Sequence, residues 1–302
     1  MLVVLAIGGN ALLRRGEALD ADVQRRNLLK AVVNAVAPIA REHQVVITHG
    51  NGPQIGLLAL QAAAYTGVRP YPLDVLGAES EGMIGYMIEQ ELANALPGRE
   101  IATLLTQVEV DPADPAFATP SKPIGPIYHE ADAQKLAAGT SWTFMQDGSG
   151  YRRAVPSPTP RRIREINVIK LLAPAGVVII CAGGGGIPVA ATASGRFTGV
   201  EAVVDKDLCA ALLAEEIGAD ALLLLTDVPA VWTKWPKGDG RPIGRTTPGE
   251  LRGFTFAPGT MGPKVEAACR FVERTGRIAA IGAMDQAVAI LAGTAGTIVG
   301  GA

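Results

Sequence analysis

The 302-residue sequence predicts an α/β fold: a three-layer αβα sandwich around a mainly parallel central sheet, with a small protruding subdomain. Three observations carry that expectation. Apolar runs that suit buried strands alternate almost throughout with helical patterns, the arrangement of a parallel sheet covered on both faces. Aromatic residues make up only 5% of the chain while glycine and alanine abound, which suits helices packed closely on a sheet. One proline-rich stretch, from Asp111 to Pro160, breaks the rhythm and is too long for a structureless loop in a compact domain.

The first strand spans residues 2–7, Leu-Val-Val-Leu-Ala-Ile, and no basic segment precedes it, so it reads as a strand and not as a secretion signal. A helical pattern follows at 20–40. The strand at 44–48 leads into helices at 54–65 and 74–95, and another strand is expected at 101–106. Prolines between 112 and 126 and between 156 and 160 then stiffen two stems that hold out the subdomain 117–158, which includes a short helix near Glu130 to Ala138. Beyond it the alternation resumes, with strands at 177–182, 220–225 and 277–281. Helices are expected between and around them at 164–173, 206–217, 262–275 and 284–292.

Composition narrows the function. A net charge of −2 argues against nucleic acid or an anionic membrane as the main partner. No apolar run reaches the ~20 residues of a membrane helix, because glycine or proline interrupts each one. Cys181, Cys209 and Cys269 stand far apart in apolar patterns, as reduced structural thiols of a cytoplasmic protein would.

The chemistry is expected in glycine loops at strand ends. These are Gly8-Gly9-Asn10, Gly50-Asn51-Gly52 and the run from Gly183 to Gly186. Ligands of doubly wound sheets lie outside the carboxyl ends of the strands, where such loops offer backbone N–H donors to an anion. The familiar phosphate loops do not fit. In Gly50-Asn51-Gly52-Pro53-Gln54-Ile55-Gly56 the third glycine of a dinucleotide fingerprint is one residue late, and the chain contains no Gly-Lys for a P-loop. Three scattered histidines give no zinc motif. Two lysines stand in first turns of helices, Lys206 within Asp205-Lys206-Asp207 and Lys264 after Gly262-Pro263. A cation there opposes the helix dipole, so the pair suggests cations held for a highly charged ligand such as a nucleotide triphosphate.

Together these residues resemble the amino-acid kinase superfamily, and within it the carbamate kinase family. The resemblance rests on Gly-Gly-Asn-Ala-Leu at 8–12, Thr-His-Gly-Asn-Gly-Pro-Gln at 48–54 and Gly82-Met83-Ile84-Gly85-Tyr86. It continues through Lys122-Pro123-Ile124-Gly125-Pro126, Arg152-Arg153, the four glycines, Asp205-Lys206-Asp207, Thr226-Asp227-Val228 and Met261-Gly262-Pro263-Lys264. The sequence departs from the family at Glu81, where glutamine is frequent, and at Thr260, where serine is usual. Trp232, Lys234 and Trp235 replace a tyrosine, an asparagine and an aromatic residue.

The resemblance implies a phosphotransferase that interconverts ATP and carbamate with ADP and carbamoyl phosphate, ATP-forming in catabolism. It implies one domain, 1–302, whose residues 1–218 form an acceptor-substrate lobe with the protruding subdomain and whose residues 219–302 form a nucleotide lobe. Lys264 is expected on the transferring phosphoryl group and Lys206 between that group and carbamate. Asp207 would orient both lysines, and Lys122 would reach over the site from the subdomain. Gly8, Gly9, Asn10, Gly50, Asn51, Gly52, Gly183 and Gly184 are expected to hold anions, and Asp227, Trp232, Met261 and Gly262 to meet the nucleotide. Mg²⁺ would ride on the nucleotide phosphates without side-chain ligands. His49 reads as structural, and Asp227 as a helix cap or a nucleotide contact. A homodimer is expected from the apolar helices 54–65 and 74–95. Two alternatives share the fold: a kinase for another small acid, and a non-catalytic nucleotide or metabolite sensor.

Overall fold

The computed structural model describes residues 1–9, 12–13, 17–18, 20–140, 142–234, 240–256 and 261–301. β1 (Leu2–Ile7) is followed by α1 (Ala21–Ala31), a π turn (Val32–Val36) and α2 (Ala37–Glu42). β2 (Gln44–His49), α3 (Gly52–Ala64), α4 (Leu73–Ala95), β3 (Ile101–Leu104) and β4 (Gln107–Val110) come next. The protruding unit consists of β5 (Lys122–Tyr128), α5 (Glu130–Gly139), β6 (Thr143–Asp147) and β7 (Gly150–Val155). β8 (Pro160–Ile163), α6 (Ile166–Leu172), β9 (Val178–Cys181), β10 (Ile187–Ala191) and β11 (Phe197–Gly199) lead to α7 (Lys206–Ile217). The remaining elements are β12 (Ala221–Thr226), β13 (Arg245–Thr246), α8 (Pro248–Arg252), α9 (Met261–Thr275), β14 (Ile278–Ala283), α10 (Ala287–Leu291) and β15 (Thr297–Val299).

Eight strands form the central sheet in the order β13-β15-β14-β12-β1-β2-β9-β3. All its pairings are parallel except β14 with β15. Alternation along β1 sorts its side chains into two cores. Val3, Leu5 and Ile7 pack with Leu28, Val32, Ile84 and Ile88 on one face, whereas Val4 and Ala6 join Cys209, Leu213, Val265 and Phe271 on the other. The result is the expected three-layer sandwich, and a single sheet joins residues 1–218 to residues 219–302 because β1 pairs with β12.

Several elements depart from the sequence expectation. The helix expected at 20–40 carries the π turn, for which Pro38 accounts: it has no N–H to return to the carbonyl of Asn34. The strand expected at 101–106 leaves the central sheet after Leu104 and continues as β4 in a second sheet, ordered β11-β10-β4-β8. That second sheet was not anticipated. Among the described residues no helix is long and apolar enough to cross a membrane, and the three cysteines are buried and unpaired.

The protruding unit is an antiparallel sheet, β5-β7-β6, that sits on α3. Ile124 and Val155 bury themselves against Ile55 and Ala59 of α3, Leu73 and Leu76 of α4, and Val203. The closest approach joins two glycines. A Cβ on Gly56 would fall 1.9 Å from Gly125 Cα, and Gly125 itself has φ +74°. Backbone meets backbone there, and only glycine fits on either side.

Candidate active site

β12, β1, β2 and β9 are neighbours with their carboxyl ends at one edge, so the loops after β1, β2 and β9 converge. The N–H of Gly8 donates to Leu225 O and that of Gly50 to Ile7 O, both at 3.0 Å, which prolongs the sheet ladder. A Cβ on Gly50 would stand 2.9 Å from Gly9 N, so these two loops touch through their backbones. Thr48 Oγ1 donates to Ala182 O at 2.8 Å and ties β2 to the third loop.

The four glycines are buried, and their conformation explains them. Gly184, Gly185 and Gly186 have φ of 67°, 98° and 80°, a region that strains any side chain. Cβ atoms on Gly183 and Gly184 would fall 2.3 Å from His49 Nε2 and 2.1 Å from Asn51 Nδ2. The N–H of Gly183 donates to Glu81 Oε1 at 2.7 Å. The expectation that Gly8, Gly50 and Gly183 present N–H groups to an anion is therefore corrected, because protein oxygens occupy all three. Gly9, Asn51 and Gly52 remain at this edge, and Gly52 opens α3, whose first-turn N–H groups have no helical acceptor. Asn10, Trp235 and Thr260 lie outside the described residues.

α7 and α9 bring their first turns to the same place. Asp205 caps α7, its Oδ1 accepting from Asp207 N at 2.9 Å and Leu208 N at 3.2 Å. Lys206 Nζ donates to Asp207 Oδ1 at 2.7 Å, and Lys264 Nζ lies 3.1 and 3.0 Å from the two oxygens of the same carboxylate. All three side chains are nearly enclosed, at 11%, 12% and 8% exposure for Lys206, Lys264 and Asp207. Burial lowers the Lys206 ammonium to about 8, with Asp207 pulling it back up and Lys264 pushing it further down. Burial acts to raise the Asp207 carboxyl, but the two ammonium groups outweigh it and hold it well below the usual range. Two cations on one carboxylate leave a surplus positive charge in a water-poor site, which favours an incoming anion.

Lys122 arrives from β5. Its Nζ donates to Asp205 Oδ2 at 2.6 Å, one residue before Lys206. Asp205 is absent from the residues that the sequence reading places at the site. The signal for it is an aspartate just ahead of a helix start with a second acid in the first turn, the usual N-cap pattern.

Two buried groups support the loops. Glu81 receives the N–H of Gly183 and, through Oε2 at 3.1 Å, that of Thr106. Burial raises its carboxyl to about 8 against the pull of those two donors. His49 holds Gly50 O at 3.1 Å through Nδ1, and burial keeps its ring neutral, down to about 4, with the Lys206 charge acting in the same direction. A neutral, enclosed imidazole fits its structural reading.

On the other half of the edge, Met261 and Gly262 open α9 beside Lys264. Asp227 is exposed at the end of β12 and accepts from Thr226 Oγ1 at 3.1 Å. Trp232 lines a mostly apolar cavity of about 390 Å³ with Pro229, Ala230, Pro242 and Ile243. These residues follow β12, and the cavity also touches Ala295 and Gly296 just before β15. Because β15 runs against β14, that junction lies at the same sheet edge as the glycine loops.

A family model described as the amino acid kinase family matches residues 1–283. A carbamate kinase of Rhizobium meliloti (strain 1021) is 55% identical over 302 residues, covering 99% of this chain and 93% of its own length. A structure of carbamate kinase from Giardia lamblia bound to citric acid superposes with a TM-score of 0.93 at 40% identity, covering 99% of this chain and 98% of that one. The Giardia lamblia enzyme bound to AMP-PNP superposes with a TM-score of 0.89, again at 40% identity, with coverage of 99% and 98%.

Proposed function

The chain belongs to the amino acid kinase family and, within it, to the carbamate kinases, and from that premise we propose that its site interconverts ATP and carbamate with ADP and carbamoyl phosphate. One observation carries the reading. Two enclosed ammonium groups share the carboxylate of Asp207 where the glycine loops meet, a place built to gather negative charge.

In the ATP-forming direction, which we assign to catabolism, a β-phosphate oxygen of ADP attacks the phosphorus of carbamoyl phosphate. The bond from that phosphorus to the carbamate oxygen breaks, and carbamate leaves with the electron pair. Both partners are anions, so the protein's work is positioning and charge neutralisation. Lys264 faces the transferring phosphoryl group and the nucleotide side, because it stands on α9. Lys206 spans the phosphoryl group and the carbamate, and Asp207 orients both lysines. Lys122 covers the acceptor side from the protruding unit, residues 117–158, which acts as a lid over the site. Gly9, Asn51 and Gly52 supply backbone donors to the acceptor anion, and Gly184 packs behind Asn51.

The nucleotide occupies the half of the edge formed by residues 219–302, with its base at the Trp232 cavity and its phosphates toward Gly262 and Lys264. The AMP-PNP complex of the Giardia lamblia relative supports a nucleotide at this fold's site. Among the described residues no group of three histidine, cysteine or acidic side chains could hold a metal ion. When bound, magnesium would take its oxygens from the nucleotide phosphates and offset their charge. Tyr65, Tyr71, Val75, Met83, Tyr86 and Leu105 are exposed along α4 and its flanks. We assign this face to a homodimer contact, and the three unpaired thiols suit a cytoplasmic enzyme.

Purified protein given ADP, carbamoyl phosphate and magnesium should form ATP, read by luminescence, and Lys264→Ala should nearly abolish it. Phosphoryl transfer to another small acid with none from carbamoyl phosphate would replace the substrate assignment. Nucleotide binding with no transfer at all would leave a sensor.

A further inference from the structure

The five residues before α7 form a strip with two faces. Glu201, Val203 and Asp205 turn toward the protruding sheet: Glu201 Oε1 receives Arg153 Nη2 at 3.2 Å, Val203 N donates to Pro156 O at 2.9 Å, and Asp205 Oδ2 receives Lys122 Nζ at 2.6 Å. Val203 belongs to the small core that holds Ile124 and Val155, whereas Val204 belongs to the main core. Val204 also presses on the glycine loop, since a Cβ on Gly185 would stand 2.4 Å from its carbonyl oxygen. Arg153 is held on its other side by Trp142, its guanidinium 4.2 Å from the ring centroid. The strip thus touches the protruding sheet at three alternate residues and then becomes the first turn that carries Lys206 and Asp207.

Asp205 is the last and most consequential of the three. One oxygen caps α7 through Asp207 N and Leu208 N, and the other holds Lys122. The carboxylate that fixes the backbone beneath the core lysines therefore also fixes the ammonium above them. Its surroundings favour that charge, because Lys122 and the helix N–H groups outweigh the effect of burial and of Asp207 nearby. Lys122 is also the most accessible of the three site lysines, at 25% side-chain exposure, so it can exchange one anionic partner for another.

We propose that Asp205 is a positioning residue for Lys122: it seats the ammonium beside the core lysines, releases it to the incoming acyl phosphate, and ties lid position to the first turn of α7. The proposal rests on the assignment of Lys122 to the reaction, and its test separates the two.

Asp205→Asn keeps the cap, since asparagine caps a helix as well as aspartate does, and removes only the charge that holds Lys122. In the ligand-free protein the amides of β5 and β7 should exchange several-fold faster in this variant and in Lys122→Ala. With ligands, Asp205→Asn should lower kcat/KM for carbamoyl phosphate by roughly tenfold while KM for ADP stays within roughly twofold, a split that a general loss of structure would not produce. The double variant should match Lys122→Ala in both exchange and turnover, because the two residues act as one unit. Wild-type exchange and wild-type kcat/KM in Asp205→Asn, or effects that add in the double variant, would overturn the proposal. Faster lid exchange in both single variants with unchanged turnover in Lys122→Ala would leave the tether standing and remove Lys122 from the reaction.

Discussion

The core lysines and Lys122 bring the same chemical group to one place by opposite constructions. Lys206 and Lys264 are locked in the first turns of α7 and α9, both bonded to Asp207, and α7 and α9 pack into the core beneath the central sheet. Lys122 sits on a three-stranded sheet attached through a small apolar cluster, a glycine contact and a few polar bonds. A charge that must be present throughout the transfer belongs on the rigid side. One that closes over an acceptor and then lets it leave belongs on the loosely attached side. The difference in burial is the difference in task.

The sharpest way to break the comparison is to remove a core cation. Lys206→Ala and Lys264→Ala should each keep a normal circular-dichroism spectrum and lose turnover by about 10²–10³-fold, the effect of deleting one preorganised charge donor. Near-normal turnover in either would strike that lysine from the site. Lys122→Ala should come next, with a loss of roughly 10–10²-fold and ADP affinity within a few-fold. Hydrogen exchange in the lid of the wild type should slow only when nucleotide and carbamoyl phosphate are both present, and equal exchange with and without them would reduce the lid to a fixed appendage.

The pH response should sharpen the contrast further. The Lys206 ammonium is depressed to about 8 in the folded protein. Its charge is therefore lost as pH rises through that value, and kcat/KM for carbamoyl phosphate should fall by up to about tenfold per pH unit above it. Stability should move the other way. The folded protein releases this proton before the unfolded chain does, so the penalty of a buried ammonium is present below about pH 8 and disappears toward 10.5. Activity that falls in step with unfolding would refute the assignment.

A smaller effect on turnover is expected at Glu81, whose carboxyl is raised to about 8. An acid raised in the fold contributes stability that is lost as pH climbs from about 4.5 to 8. Glu81→Gln has no such loss, so its melting temperature should gain on the wild type across that interval. Parallel melting curves for the two proteins would show that this carboxyl does not titrate there. Least connected to the site is the exposed face of α4: light scattering at micromolar concentration should give a dimer, and Tyr86→Glu should weaken it. A monomer would leave that face unexplained.

The two constructions were not equally legible in the sequence. Long apolar runs such as 2–7 and 220–225 announce a parallel sheet because both faces of each strand are buried. The protruding unit and its helix could be read from proline clusters and from what lay between them. The second sheet could not, since β11 has three residues and β4 finds its parallel partner β10 some eighty residues later. At the site, Lys206 and Lys264 stand out because a cation in a first turn is unusual. The run at 183–186 misleads, because four glycines look like an anion cradle whether they face a phosphate or the side chains of His49 and Asn51. Asp205 hides for a related reason: its partner lies 83 residues away on another sheet.

The seat of the lid has a consequence for what this helix can be. Gly56 lies in the middle of α3, where alanine would be the better helix former by ~1 kcal/mol. The helix keeps this local defect because any side chain at 56 would drive into the backbone of Gly125. Mutational tolerance at the position is thus near zero for reasons that no property of the helix reveals. Alanine at 56 would improve the helix alone and set a methyl wedge against Gly125 that lifts the protruding sheet away from the chemistry.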